Sequence, residues 1–308
     1  MRLQKQLLAF STFLMTLFGV LNGCTDTIDF DFGEPKPTVV LNSLLNTDSV
    51  PYARLTWLNH PGAVSYGSLF WSFAEINDAE VSLYENGTFI EQLTPVIMGD
   101  TTYLSNLYYK GSHALRQGQT YRLVATLPGG QSVAAQGTTP APPSFTVGNA
   151  TRVHSSSDPG KQEIQIPLRL DDPAGERNFY RIRLIAQRPS KWSRDITWIG
   201  PGKQESNYLF ANEFRPQIFI DDELFDGQSV ELIIRCENLN GSDRLLEITA
   251  LTEESYRYLS SKAYAQERGD DFLTEPIPVL SNITDGVGFV GGVAVREQPV
   301  NEQSDGTD

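Results

Sequence analysis

Short runs of alternating apolar and polar residues dominate this chain, and little of it carries a helical period. TVVLNSLL (38–45), YARLTWL (52–58), AEVSLYE (79–85), TFIEQL (88–93), TYRLVATL (120–127) and QSVAAQGT (131–138) are short and rich in β-branched and aromatic residues. Successive side chains of a strand point to opposite faces, so such runs suit strands with one buried face. Turn chemistry separates them. Asn86-Gly87 tolerates the positive φ that a tight hairpin needs at both central residues, and Leu127-Pro128-Gly129-Gly130 marks a second reversal. The spacing predicts an antiparallel β-sandwich over 38–140.

TTPAPPS (138–144) interrupts the pattern with residues that cannot donate to a sheet ladder, so a domain boundary is expected at 140/141. Strands resume in EIQIPLRL (163–170) and FYRIRLIAQ (179–187). A hairpin is expected over 217–235, turning at Asp226-Gly227. One helix is expected, about 253–268, with Thr252 as N-cap, Glu253 and Glu254 at its positive end and Gly269 as its stop. A second sandwich over 141–297 would include it, ahead of a polar, disordered tail at 298–308. The expected fold is therefore mainly β: two consecutive antiparallel β-sandwich domains, immunoglobulin-like or jelly-roll-like, with one helix in the C-terminal region.

The first residues change the picture from fold to location. Arg2 and Lys5 precede the apolar run LLAFSTFLMTLFGVL (7–21), which is short of the roughly 18–20 residues a membrane span needs and suits a signal peptide over 1–23. Leu21-Asn22-Gly23-Cys24 then resembles the lipobox of bacterial lipoproteins, although Asn22 is unusual there. On that reading Cys24 is lipidated; an ordinary signal peptide or a buried thiol are the alternatives. Acyl chains on Cys24, palmitate among them, would hold a soluble body on a membrane at about 0.8 kcal/mol per buried CH₂. Cys236 then has no partner in the chain and reads as a buried thiol in a strand. Residues 24–37 read as an acidic tether carrying Asp26, Asp29 and Asp31. The whole chain has 24 basic and 38 acidic residues and a net charge of −14, which suits neither nucleic acid nor anionic headgroups.

Four features in order resemble a lipoprotein family of the Bacteroidota known as domain of unknown function 4249. They are the lipobox with its acidic leader, GQTYRLVATLPGGQSVAAQGTTPAPP (118–143), the LFDG turn (224–227), and the segment from Leu251 to Gly292. The resemblance is weakest over 190–215. It implies an outer-membrane lipoprotein, anchored through its N-terminal lipid and facing the cell exterior. The implied role is a non-enzymatic binding or accessory partner of a TonB-dependent outer-membrane transporter. The alternative is a structural or assembly subunit of an envelope secretion or barrel-insertion machine. It implies no catalytic residue and no cofactor.

Other motifs are weaker. Gly286-Val-Gly288-Phe-Val-Gly291 spells a dinucleotide fingerprint, but no helical pattern follows it, so a closing strand with close backbone approach is expected instead. Asp221, Asp222, Glu223 and Asp226 crowd one turn and offer hard oxygen ligands for Ca²⁺, without EF-hand spacing; a solvated acidic tip is the plainer reading. His60, His113 and His154 stand too far apart in sequence to suggest zinc. Phe70 and Trp71 lie in a stretch without alternation, and Trp192 and Trp198 lie in the less recognisable region. These four are the binding-surface candidates, against the alternative that aromatics fill the cores. Thr27, Ser49 and Thr101 each follow an aspartate in a three-residue pattern resembling the O-glycosylation sequon of the Bacteroidota.

Overall fold

Alternation becomes strand throughout the body of the chain. The computed structural model describes residues 37–58, 75–97, 107–154, 162–187, 196–199, 208–211, 217–237, 243–268 and 279–302. In the first half they form β1 (Val39–Asn46), β2 (Tyr52–Trp57), β3 (Glu80–Glu85), β4 (Thr88–Ile97), β5 (Leu107–Lys110), β6 (Thr120–Thr126) and β7 (Ser132–Thr138). The second half contributes β8 (Ser144–Val147), β9 (Thr151–His154), β10 (Gln162–Asp171), β11 (Phe179–Gln187), β12 (Ile196–Ile199) and β13 (Tyr208–Ala211). It continues with β14 (Ile218–Asp221), β15 (Ser229–Glu237), β16 (Asp243–Leu251), helix α1 (Glu253–Arg268) and β17 (Val287–Val300).

The strands make two open sheets. The larger has the order β12-β11-β16-β17-β1-β2-β5-β4-β3-β6-β7, with β14 also on β11; the smaller has the order β13-β15-β10-β8, with β9 also on β10. The fold is mainly β, with one helix among the described residues, in a sandwich-like arrangement. Most pairings are antiparallel, but β1 runs parallel to β17 and β13 parallel to β15. The 140/141 boundary falls between β7 and β8, yet β17 joins β16 on one side to β1 on the other, so both halves share one sheet. That strand also continues past 297. Gln298 donates to the Phe145 carbonyl and accepts from the Val147 N–H, and the Ala150 N–H donates to the Asn301 carbonyl, which holds the chain in place where a disordered tail was expected.

Two main cores result. The first packs Leu41, Leu55, Leu83, Tyr109, Tyr121 and Leu123, among others, from strands of the first half, with Ile283 and Val290 added from the end of the chain. The second lies between the sheets. Ile164, Ile166, Leu168 and Leu170 of β10 face Tyr180, Ile182 and Leu184 of β11 and Leu246 and Ile248 of β16. Each fully buried aliphatic side chain contributes about 1.5–3 kcal/mol relative to an exposed one, so the period-two stripe of β10 alone is a large share of this half's stability. On the other face of the large sheet, α1 buries Leu259 with Phe179, Leu251 and Val293. Thr252 caps the helix by accepting the Ser255 N–H (3.3 Å), and Glu253 and Glu254 occupy its first turn.

The glycine-dense ending proves to be a strand. A Cβ at Gly288 would overlap the Leu41 carbonyl oxygen, and one at Gly292 would overlap the Thr138 carbonyl oxygen. Gly288 also has a φ of 113°, which an L side chain rarely adopts. These glycines let β17 lie against the backbones of β1 and β7.

Gly292→Ala drives its new carbon into the backbone of Thr138 and Thr139 and is expected to lower unfolding stability by about 3 kcal/mol or more. Gly129→Ala, where the added carbon meets open space, is expected to change it by less than about 0.5 kcal/mol. Urea denaturation of the two variants checks the contrast.

Candidate functional site

Three carboxylates meet where the loop after β10 faces the turn after β14. Asp172, Asp222 and Asp226 each place one oxygen within 4.8 Å of the others. Asp172 and Asp222 are buried and Asp226 is exposed. Asp172 accepts the Tyr180 hydroxyl at 2.6 Å and the Gly227 N–H at 3.0 Å. Asp222 accepts the Asn178 N–H at 2.7 Å, and Asp226 accepts the Gly175 N–H at 2.9 Å. Burial and the neighbouring Asp172 carboxylate push the Tyr180 phenol far above its ordinary value, so it stays protonated and donating.

Of the four acidic residues nominated from the sequence, the fold brings together Asp222 and Asp226. Asp221 ends β14, and alternation sends its side chain to the opposite side from Asp222. It bonds Arg177 at 3.1 Å, and Glu223 lies 3.9 Å from the same guanidinium. The third member of the cluster, Asp172, stands fifty positions upstream, and no local pattern in the sequence links it to the turn. Oxygen donors of this kind suit a hard cation. Here, however, every one of them accepts a hydrogen bond from the facing loop, so the chemistry the geometry displays is a staple between 172–178 and 222–227.

A second buried carboxylate organises the first half. Glu85, at the end of β3, accepts the Tyr121 hydroxyl at 3.1 Å, His113 Nε2 lies 3.2 Å away, and Arg116 completes the set. The Arg116 N–H returns to the Tyr121 oxygen at 2.8 Å. Burial pushes the Glu85 carboxyl up, but the bonds from Arg116, Tyr121 and His113 together outweigh it and hold it below the usual range. Glu91 similarly gathers the N–H groups of Ser112 and His113. The 111–119 loop is thus tied to the β3–β4 hairpin, whose Asn86-Gly87 turn has positive φ at both residues as its sequence predicts.

A polar groove of about 430 Å³ runs beside β7, between Arg122, Gln136 and Thr138 on one wall and Glu254, Asn282 and Thr284 on the other. Ala134 exchanges both backbone bonds with Thr284 at its end.

Among the other residues singled out, Ser49 sits half-buried in the turn after β1, next to Asp48 with its φ of 63°. Trp198 stands on β12 opposite Ile185, and Cys236 on β15 opposite Ile164. Trp57 packs against the first core. His113 and His154 lie on separate elements, the 111–119 loop and β9. Cys24, Thr27, His60, Phe70, Trp71, Thr101 and Trp192 lie outside the described residues.

Two measurements follow from the buried carboxylates. Asp172→Ala strands the Tyr180 hydroxyl and the Gly227 N–H and is expected to lower stability by about 2–4 kcal/mol. Glu223→Ala, on an exposed ion pair, is expected to cost less than about 1 kcal/mol. Because the bonds from Arg116, Tyr121 and His113 hold the folded Glu85 carboxyl below the ordinary glutamate range, its contribution is complete above the unfolded pKa and is lost as pH falls through the folded one. Glu85→Gln should therefore flatten the acid limb of a stability-versus-pH curve, and an unchanged limb would contradict the assignment.

A search of curated proteins found no match to this chain. A family model described as "Domain of unknown function (DUF4249)" matches residues 25–299. That match spans the described β-body from β1 almost to the end of β17, and the chain belongs to this family.

Proposed function

We propose that this protein is a lipid-anchored, non-enzymatic binding or accessory protein of the bacterial outer membrane, displayed at the cell surface beside a TonB-dependent transporter. The observation that carries the reading is the junction at Cys24. A basic start and a 15-residue apolar run end in Leu-Asn-Gly-Cys, acid follows at once, and the family match begins at the next residue, 25. The matched region is thus the chain after Cys24, which agrees with a lipoprotein whose leader is removed. No helix among the described residues is long and apolar enough to cross a membrane, so on this reading the acyl chains are the attachment.

The body suits binding. Its loops are held by buried carboxylates, and loops ordered before contact lose little freedom on binding. The acidic tether is the export address to the outer leaflet, and Bacteroidota are the expected hosts. Thr27, Ser49 and Thr101 are the sites at which such a surface protein would carry O-glycans, and Phe70, Trp71, Trp192 and Trp198 are the aromatic contacts it would offer a partner.

Cys24→Ser is expected to yield protein that is released from membranes and takes up no labelled palmitate; a variant that stays bound without label would end the anchor reading. Protease treatment of intact cells should shave the wild type, and full protection would place it on the inner leaflet instead. Purification in mild detergent should bring down a TonB-dependent transporter. Recovery of a multi-protein secretion or barrel-insertion assembly would favour a structural subunit in its place.

A further inference from the structure

The outer face of the large sheet, beside α1, holds a buried polar group that neither the cores nor the anchor accounts for. Arg181 on β11 is 6% exposed, and its strand partners are Thr249 on β16 and Phe219 on β14. One step along, Arg183 faces Glu247, which is 3% exposed. Arg183 takes both oxygens of that carboxylate, Nε reaching Oε1 at 2.7 Å and Nη2 reaching Oε2. Arg181 has what is left. Its Nη2 makes two long contacts, 3.3 Å to Glu247 Oε1 and 3.2 Å to Thr249 Oγ1, and its buried Nε donates to nothing. The Thr249 hydroxyl is itself committed as a donor to Glu247 Oε1 at 3.0 Å.

A buried guanidinium with an unmet donor is costly, because the charge has left water without gaining a full set of partners. Burial, together with the neighbouring Arg183, pulls Arg181 down to about 10, against the opposing pull of Glu247. Two guanidiniums with planar donor forks converge here, and such forks match the paired oxygens of a carboxylate or phosphate. Arg183, 18% exposed, is the more accessible of the two guanidiniums. The other acidic side chain in register is Glu297 of β17, opposite Glu247 and exposed.

We propose that Arg181 is the recognition group of a binding site for a small oxyanion, a carboxylate or a phosphate, entering past Arg183. Thr249 positions the guanidinium from below. Glu247 acts as the chain's own competing oxyanion: it keeps the arginines charged and oriented, and a ligand shares them. Phe219, opposite Arg181 in register, supplies an apolar wall, so a ligand carrying its oxyanion on a small apolar body suits the site better than a strongly hydrated one. The inference stands on the β11–β16 geometry and does not depend on how the protein is anchored.

The test uses the intact protein in detergent, titrated with sodium acetate or sodium phosphate against sodium chloride at equal ionic strength, with thermal unfolding as readout. A saturable rise in Tm with acetate, phosphate or both is expected, and which anion produces it separates the two sources. A rise that grows linearly without saturating, as exclusion from the surface produces, overturns the proposal, as does no rise beyond chloride. Arg181→Gln should abolish the saturable rise; a rise that survives it also overturns the site. Glu247→Gln removes the internal competitor and should bind the same anion about tenfold more tightly, the order of one charge-assisted bond freed from competition. This arm decides the matter even if Arg181→Gln fails to fold, since unchanged or weaker binding in Glu247→Gln contradicts the proposal.

Discussion

Backbone-to-backbone approach along β17 is the constraint on which the rest of this structure depends. That strand is bonded to β1 over Val287–Val293 and to β16 over Val293–Val300, so one strand belongs to both halves of the chain. Glycine at 288 and 292 removes the Cβ atoms that would otherwise collide with the carbonyls of Leu41 and Thr138. Without that approach, Val290 could not reach the first core, nor Ala294 the second. The helix depends on the same strand, since the Ser255 hydroxyl donates to the Gly292 carbonyl at 2.8 Å and Leu259 packs on Val293. A G-x-G-x-x-G spelling that elsewhere cradles phosphate here serves close packing between strands.

Polar groups inside the protein share one logic. Glu85 in the first half and Asp172 with Asp222 in the second are buried carboxylates that collect donors from loops distant in sequence. A carboxylate removed from water must replace its lost hydration, and N–H groups in loops need acceptors, so each satisfies the other. The outcome is loops held in place by carboxylates, in segments (111–119, 172–178 and 222–227) that contain no cysteine. Arg181 departs from this logic because it shares the Glu247 carboxylate with Arg183, which takes both of its oxygens.

Much of the architecture was legible in the sequence. Alternation located β1–β3, β6, β7, β10 and β11. Asn86-Gly87 announced its hairpin through backbone freedom, and Thr252 and the acids after it announced the helix start, all local effects visible within a few residues. Less legible was whatever depends on distant partners. The proline-rich stretch at 138–144 looked like a boundary because prolines end strands, but where a chain stops pairing locally says nothing about which strand its far end will join. The acidic turn shows the same limit. Asp221 through Asp226 read as a set, and strand alternation divided it, drawing in Asp172 from another loop.

The sequence by itself determined the mainly β character, the place of the helix, the turn types and the lipobox-like junction ahead of the body. Each of these rests on interactions between near neighbours or on motifs read in a line. Only the tertiary structure decided that β17 would bridge β1 and β16, which carboxylates would meet, and that Arg181 and Arg183 would share Glu247. Those outcomes depend on side chains and backbones fifty to two hundred and fifty residues apart competing for the same space and the same hydrogen bonds, a competition that a one-dimensional pattern does not record.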